Sequence, residues 1–317
     1  MIPTVAEAIR VSRGLTQMSL ASRAGVSQTA ISLLETGHAR TPAPIAAALS
    51  RTLDTSEALL TTPAPEVELL HAMKDAVRAG VRRRVAAEFI LAFVRIQALA
   101  PGTRHTARHS GRDEGSPAVC AEGLRSAWQI PPGPVQNIVS TLESHGVVHL
   151  RRDLGGTRVN ALVGVVGSHR AIMFVDPRAH YDDAAWNIAH ELGHLALHAS
   201  ALPAQEGAAE DFAGEFLAPA TEIRQLLSSG MDVDDLPAHF RVPPAKFARH
   251  ARRRGVITVA DHRRLRTHSR PPHEHHELPA HAMLAGIVDE RTRAGETIEQ
   301  VAASAFLTVN DLREDFI

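Results

Sequence analysis

Apolar residues recur along most of the chain at three-to-four spacing, the period of helices with one buried face. Residues 1–60 read as short helices joined by tight turns, with Leu20, Ala21, Val26, Ile31 and Leu34 spaced to lock two of them together. Thr61-Thr62-Pro63-Ala64-Pro65 follows as a joint. Residues 66–99 predict one long helix, with Val77, Val81, Val85, Phe89, Phe93 and Ile96 along its apolar stripe. Residues 101–117 are polar and contain several glycines, so they predict a loop. Two helices are expected at 119–129 and 135–144, separated by Pro131-Pro132-Gly133-Pro134. The period then changes: 146–152, 161–166 and 171–175 alternate and are rich in valine, which predicts strands. Helical spacing returns over 182–198, 206–217 and 246–254. A His/Pro/Glu-rich linker is expected at 271–279, and two or three further helices at 280–317. The predicted fold class is mainly α with a small antiparallel β-sheet, an α+β chain without internal repeats.

Length and composition narrow the function classes. At 317 residues the chain is long enough for two or three units, and 44% hydrophobic content excludes wholesale disorder. No apolar run approaches the ~18 residues of a membrane span. The opening MIPTVAEAIR lacks a basic start followed by an apolar stretch, so no secretory signal is expected. Cys120 is the single cysteine, which excludes an internal disulfide and points to a reducing cytoplasm. A formal net charge of −1 means that nucleic-acid binding needs a local patch. The 19 histidines make metal chemistry the next question.

Residues 15–37 carry the pattern of a helix-turn-helix. Gly25 stands where the turn between two helices needs a residue tolerant of positive φ, and Ser27 can cap the next helix. Gln28, Thr29 and Ser32 then point outward from the start of that helix, where side chains meet base edges; a glutamine can address adenine through two hydrogen bonds. This stretch resembles the Xre/Cro family of phage-repressor-like domains through Ala8-Ile9-Arg10, Thr16-Gln17, Gly25-Val26-Ser27-Gln28, Ile31-Ser32 and Glu35-Thr36-Gly37. The resemblance implies that Gln17 and Gln28 lie at the DNA, with Arg13 and Arg40 near phosphates. Residues 1–60 hold five basic and four acidic side chains, so one copy would bind weakly and a homodimer on a two-fold operator is expected.

Residues 186–198 contain His190-Glu191-Leu192-Gly193-His194 within an apolar helical pattern. The four-residue spacing puts both imidazoles on one helix face, as a shared zinc ion requires, and Glu191 can reach a metal-bound water and accept its proton. A hydrolytic zinc (Zn2+) wants a third protein ligand and an open position. Glu206 and Glu210, one turn apart on one face and opposite Phe212 and Phe216, both qualify.

The two histidines with Glu206, Ala209, Phe212, Ala213, Phe216, Leu217 and Pro219 resemble the ImmA/IrrE family of zinc metallopeptidases, a likeness spanning about residues 120–260. It implies that Glu206 is the third ligand. It also likens 147–152, 158–162 and 171–175 to that family's small sheet, whose edge would hold an extended peptide. The likeness continues through Lys246-Phe247-Ala248-Arg249-His250-Ala251 to Gly255-Val256-Ile257.

The expected organisation is therefore a helix-turn-helix domain at 1–62, a helical linker region at 63–118, a metallopeptidase domain at 119–260, and a linker with a C-terminal helical segment at 261–317. The expected function is a cytoplasmic transcriptional regulator that binds an operator and carries a zinc endopeptidase. By resemblance, its protein substrate is a repressor or another regulator in stress or mobile-element control. The alternative is a non-catalytic regulator or antitoxin whose metal domain senses a ligand or stabilises the fold. Several features read as structural instead: the cluster His273, His275, His276 and His281, the runs Arg82-Arg83-Arg84 and Arg252-Arg253-Arg254, Cys120, and His198 as a packed or supporting histidine. Residues 297–312 echo a helix-turn-helix without its glycine and read as an interaction or dimerisation unit.

Overall fold

Side-chain caps set the first helices. The computed structural model describes residues 2, 4–37, 42–69, 79–101, 116–154, 159–166, 170–197, 205–267 and 282–316. Thr4, Thr16, Ser27 and Ser56 each accept a hydrogen bond from the exposed first turn of α1 (Val5–Ser12), α2 (Gln17–Ala24), α3 (Gln28–Thr36) and α5 (Glu57–Leu60). Pro42 precedes α4 (Ala43–Thr52). These helices close over Val5, Ile9, Leu20, Ile31, Leu49 and Leu59, all buried.

The region expected to be a helical linker does two other things. Val67–Leu69 is a strand, β1, rather than the start of a helix, and α6 (Ala79–Leu99) is a helix shared between two cores. Ala87, Ile90, Leu91 and Val94 of α6 pack on the N-terminal helices. Val85, Phe89, Ala92, Ile96 and Leu99 pack on the sheet. Both stripes follow the helical period, so one helix serves two partners. At Val67–Leu69 local helix propensity loses to an unpaired sheet edge that needs backbone partners.

After α7 (Pro117–Ala127) and α8 (Ile138–Ser144) come β2 (Val147–Arg151), β3 (Ala161–Val166) and β4 (Arg170–Val175), in the order β1-β3-β4-β2. The sheet is mixed, not wholly antiparallel: β3 pairs antiparallel with β1 and β4, but β2 runs parallel to β4. The β3–β4 hairpin inserts β4 next to β2, which fixes that direction. Alternate residues face opposite ways. Val163, Val165, Ala171, Met173 and Val175 enter a core with α7, α8, α9 (Tyr181–Leu197), α10 (Glu206–Leu217), α11 (Ala220–Ser228), α12 (Leu236–His239), α13 (Pro244–Arg253) and α14 (Val259–Thr267). Val148, Leu150, Leu162, Ile172 and Phe174 enter the other with α6 and the C-terminal α15 (Ala282–Arg293), α16 (Ile298–Ser304) and α17 (Val309–Asp315). Phe89 stacks on Phe174 at 3.8 Å between ring centroids.

The C-terminal segment thus buries Leu284, Val288, Val301, Leu312 and Phe316 within its own chain, where the sequence pattern suggested an interaction unit. His198, Arg40, Arg158 and the histidine cluster at 273–281 lie outside the described residues. No described helix is long and apolar enough to cross a membrane.

Candidate functional site

Two sites form, one inside the α9–α10 pair and one on the α2–α3 surface. Helix α9 is buried through Ala185, Trp186, Ile188, Ala189, Leu192 and Leu195, so its polar His190, Glu191 and His194 need internal partners. Gly193 supplies the close approach: a Cβ there would stand 3.1 Å from both the Cα and the carbonyl oxygen of Ala209 on α10. Because α9 and α10 touch at this point, Glu206, one turn before Ala209, reaches the two histidines.

His190 Nε2 lies 3.3 Å from Glu206 Oε2 and 3.2 Å from His194 Nε2, and His194 Nε2 lies 3.5 Å from Glu206 Oε1. Tetrahedral zinc with bonds of about 2.0–2.1 Å spaces its ligand atoms roughly 3.3 Å apart. The two ring nitrogens and one carboxylate therefore stand at the separations of a zinc tetrahedron, and together they could hold a metal ion. His194 is fully buried and His190 nearly so, while Glu206 is 34% exposed and leaves one side accessible.

Glu210 does not join this triad. Its Oε2 lies 3.3 Å from His190 Nδ1 and accepts from Trp186 Nε1 at 3.1 Å, while Arg249 stands 3.6 Å from its Oε1. It is placed to orient the His190 imidazole from the side away from Glu206. Burial alone would lower His190, but hydrogen bonds with Glu206 and Glu210 outweigh it and hold the imidazole up at about 9. Burial would raise Glu210, whereas His190, the Lys246 charge and the Trp186 N–H hold it down at about 2. The carboxylates of Glu206 and Glu210 thus favour a positive charge at His190.

Glu191 is buried, and its Oε2 accepts the Val163 N–H of β3 at 3.0 Å. This hydrogen bond lies next to the point where β1 pairs with Gly164, Val165 and Val166. β3 is thus paired by β1 over those three residues, which leaves β1 and β2 as the outer strands of the sheet. Asn187, Lys246 and Trp186 support the site, although the sequence pattern gave them no role in it. Lys246 Nζ donates to Asn187 Oδ1 at 3.0 Å and sits 5.6 Å from the Trp186 ring centre. The helical register around the histidines placed Trp186 and Asn187 nearby, but nothing in the sequence brought α13 to them.

On the other surface, Gly25 caps α2 with φ of +66°, the left-handed conformation the turn requires. Gln28 and Thr29 are exposed at the start of α3 and Ser32 is half-buried on its outer side. Ser27 is occupied as the cap, its Oγ accepting the Ala30 N–H at 3.1 Å. Gln17 turns partly inward, its Nε2 donating to Glu35 Oε2 at 2.9 Å. Arg13 is exposed just beyond α1. Sequence reasoning missed the buried support, in which Arg10 donates to Glu35 through Nε at 2.5 Å and Nη2 at 2.8 Å, and to Leu15 O at 2.7 Å. It also missed Met18 and Leu33, which are 69% and 48% exposed on α2 and α3 and can contact thymine methyl groups.

Comparison with known families matches two parts of the chain. Residues 7–60 match the helix-turn-helix family, and residues 142–265 match a peptidase family described as an IrrE N-terminal-like domain. Over the residues matched, the chain joins a helix-turn-helix domain of the Xre type to a peptidase-like domain of the ImmA/IrrE type. No curated protein and no solved structure matches it.

Proposed function

We propose that this protein is a transcriptional regulator that binds an operator as a homodimer and cleaves a regulatory protein with a zinc-dependent endopeptidase site. His190, His194 and Glu206 hold the metal, and the spacing of their donor atoms is the observation that carries this reading. Bound there, zinc supplies a Lewis acid that polarises water and the scissile carbonyl. Glu191 takes the proton of the attacking water on Oε1 while the Val163 N–H anchors Oε2, and it then returns that proton to the leaving amine. Glu210 would accept from His190 Nδ1, so that Nε2 is the nitrogen left to bind the metal. Gln28, Thr29 and Ser32 face base edges, Gln17 lies at the DNA and Arg13 at a flanking phosphate, Ser27 holds the helix start, and Arg40, outside the described residues, is a further candidate for a phosphate contact. In this reading residues 1–62 bind DNA and residues 119–260 carry the peptidase site, with α6 and the C-terminal helices packed on the outer face of its sheet.

The test is elemental analysis of purified protein combined with incubation against regulators encoded beside it. Wild type should carry near-stoichiometric zinc and generate new N-termini in one such protein. Glu191→Gln should carry zinc and generate none. A wild type that binds no zinc, or a Glu191→Gln that still cleaves, overturns the proposal.

A further inference from the structure

The buried charges of the helix-turn-helix domain do not balance among themselves. Glu7 of α1 is buried, 3.9 Å from Arg10, but Arg10 is already committed to Glu35. Two buried carboxylates against one guanidinium leave a negative excess beside the surface that must meet phosphates. The missing cation comes from α6, where Arg83 pairs with Glu7. Arg83 lies one turn before Ala87, on the stripe of α6 that packs against the N-terminal helices. Its side chain is 55% exposed and lines an open groove of about 600 Å³ with Thr16, Gln17, Met18 and Gln28. The groove is therefore continuous with the base-facing end of α3 and the start of α2. A guanidinium has five N–H donors in a fixed fork, so holding one carboxylate leaves donors for a second anion.

We propose that Arg83 is part of the DNA interface: it neutralises Glu7 and donates to a backbone phosphate in this groove. The DNA-binding surface is then completed by a helix outside the helix-turn-helix, the same helix whose other stripe packs on the metallopeptidase sheet. Arg84, its neighbour, belongs to a different surface, a small cleft on the sheet side with Glu88, Asp153 and Phe174. The two arginines carry the same charge on one helix but face different places.

This inference rests on the DNA-binding reading, and the test separates the two. Full-length protein is titrated by anisotropy onto a 30-base-pair duplex of random sequence at several salt concentrations, a probe that phosphate contacts recognise without an operator. Each lost phosphate contact reduces the slope of log affinity against log salt by about 0.9. Arg83→Gln should lower affinity and reduce the slope by that amount per bound protomer. Arg83→Lys should retain most of the slope, and Arg84→Gln should leave it unchanged. Thermal unfolding of each variant checks that Glu7 left without Arg83 does not unfold the domain, and Arg83→Lys keeps the comparison readable if Arg83→Gln does. An unchanged slope in Arg83→Gln, or an equal loss in Arg84→Gln, overturns the Arg83 assignment while DNA binding stands. A wild type that binds no duplex even at low salt removes the DNA reading and this proposal with it.

Discussion

The α9–α10 pair and the α2–α3 pair both depend on one glycine, but for opposite reasons. Gly193 is needed because another backbone lies against it, with Ala209 at 3.1 Å from the position of its missing Cβ. Gly25 has nothing within 4 Å and is needed only for its φ of +66°. One site is made by helices pressed together until buried donors converge; the other is made by a turn that leaves side chains facing outward. A buried site is specified by contact and an exposed one by local geometry, so the two should fail differently when altered.

The largest effect is expected at the buried site. His194→Ala should abolish zinc binding in elemental analysis, as should His190→Ala, with DNA affinity little changed. Within the same site, chelator competition should rank Glu206→Gln as far leakier than Glu210→Gln. Loss of an outer partner such as Glu210 costs about 10–100-fold in metal affinity, less than loss of a ligand. If Glu210→Gln is the leakier, the ligand and its supporting acid are exchanged.

Burial also gives this side of the molecule a pH dependence. His250 of α13 is held near pKa 4 by burial, helped by the nearby Arg254 and Arg253 charges and opposed by a hydrogen bond to Ala218 O at 3.0 Å. Its folded value is depressed below the ordinary 6.5, so the unfolded chain takes up the proton first as pH falls. Stability from this residue is complete above about pH 6.5 and drains away down to about pH 4, by up to ~3 kcal/mol. Chemical unfolding across that range should show a steeper fall for wild type than for His250→Gln. Parallel curves would mean that His250 does not stay neutral in the fold.

At the exposed site, Gln28→Ala should cost about 1–3 kcal/mol on a preferred operator and little on random duplex. Equal weakening on both would reassign Gln28 to a phosphate. The smallest effects come from the glycines themselves. Gly25→Ala should cost about 1–2 kcal/mol for its left-handed backbone. Gly25→Asn should recover part of that, since asparagine tolerates this region. At Gly193 the order inverts: Ala forces α9 and α10 apart by tenths of an ångström, Asn is worse, and both weaken zinc retention. An Asn at Gly193 tolerated as well as at Gly25 would erase the distinction between the two sites.

Much of this was readable because it is local. Helix caps, the Gly25 turn, the His190–His194 spacing and the valine-rich strands each depend on residues a few positions apart, where backbone geometry alone sets the outcome. The third carboxylate was narrowed to Glu206 or Glu210, since both occupy one helix face; that Glu206 meets Nε2 of both histidines while Glu210 meets Nδ1 of His190 depends on how α9 and α10 approach. The strand at Val67–Leu69, the parallel pairing of β2 with β4, the role of α6 between two cores and the pairing of Glu7 with Arg83 have no local signature. Each is decided by which surfaces meet once the chain has folded, because an edge strand, a second apolar stripe or a buried carboxylate acquires its partner only from a distant part of the sequence.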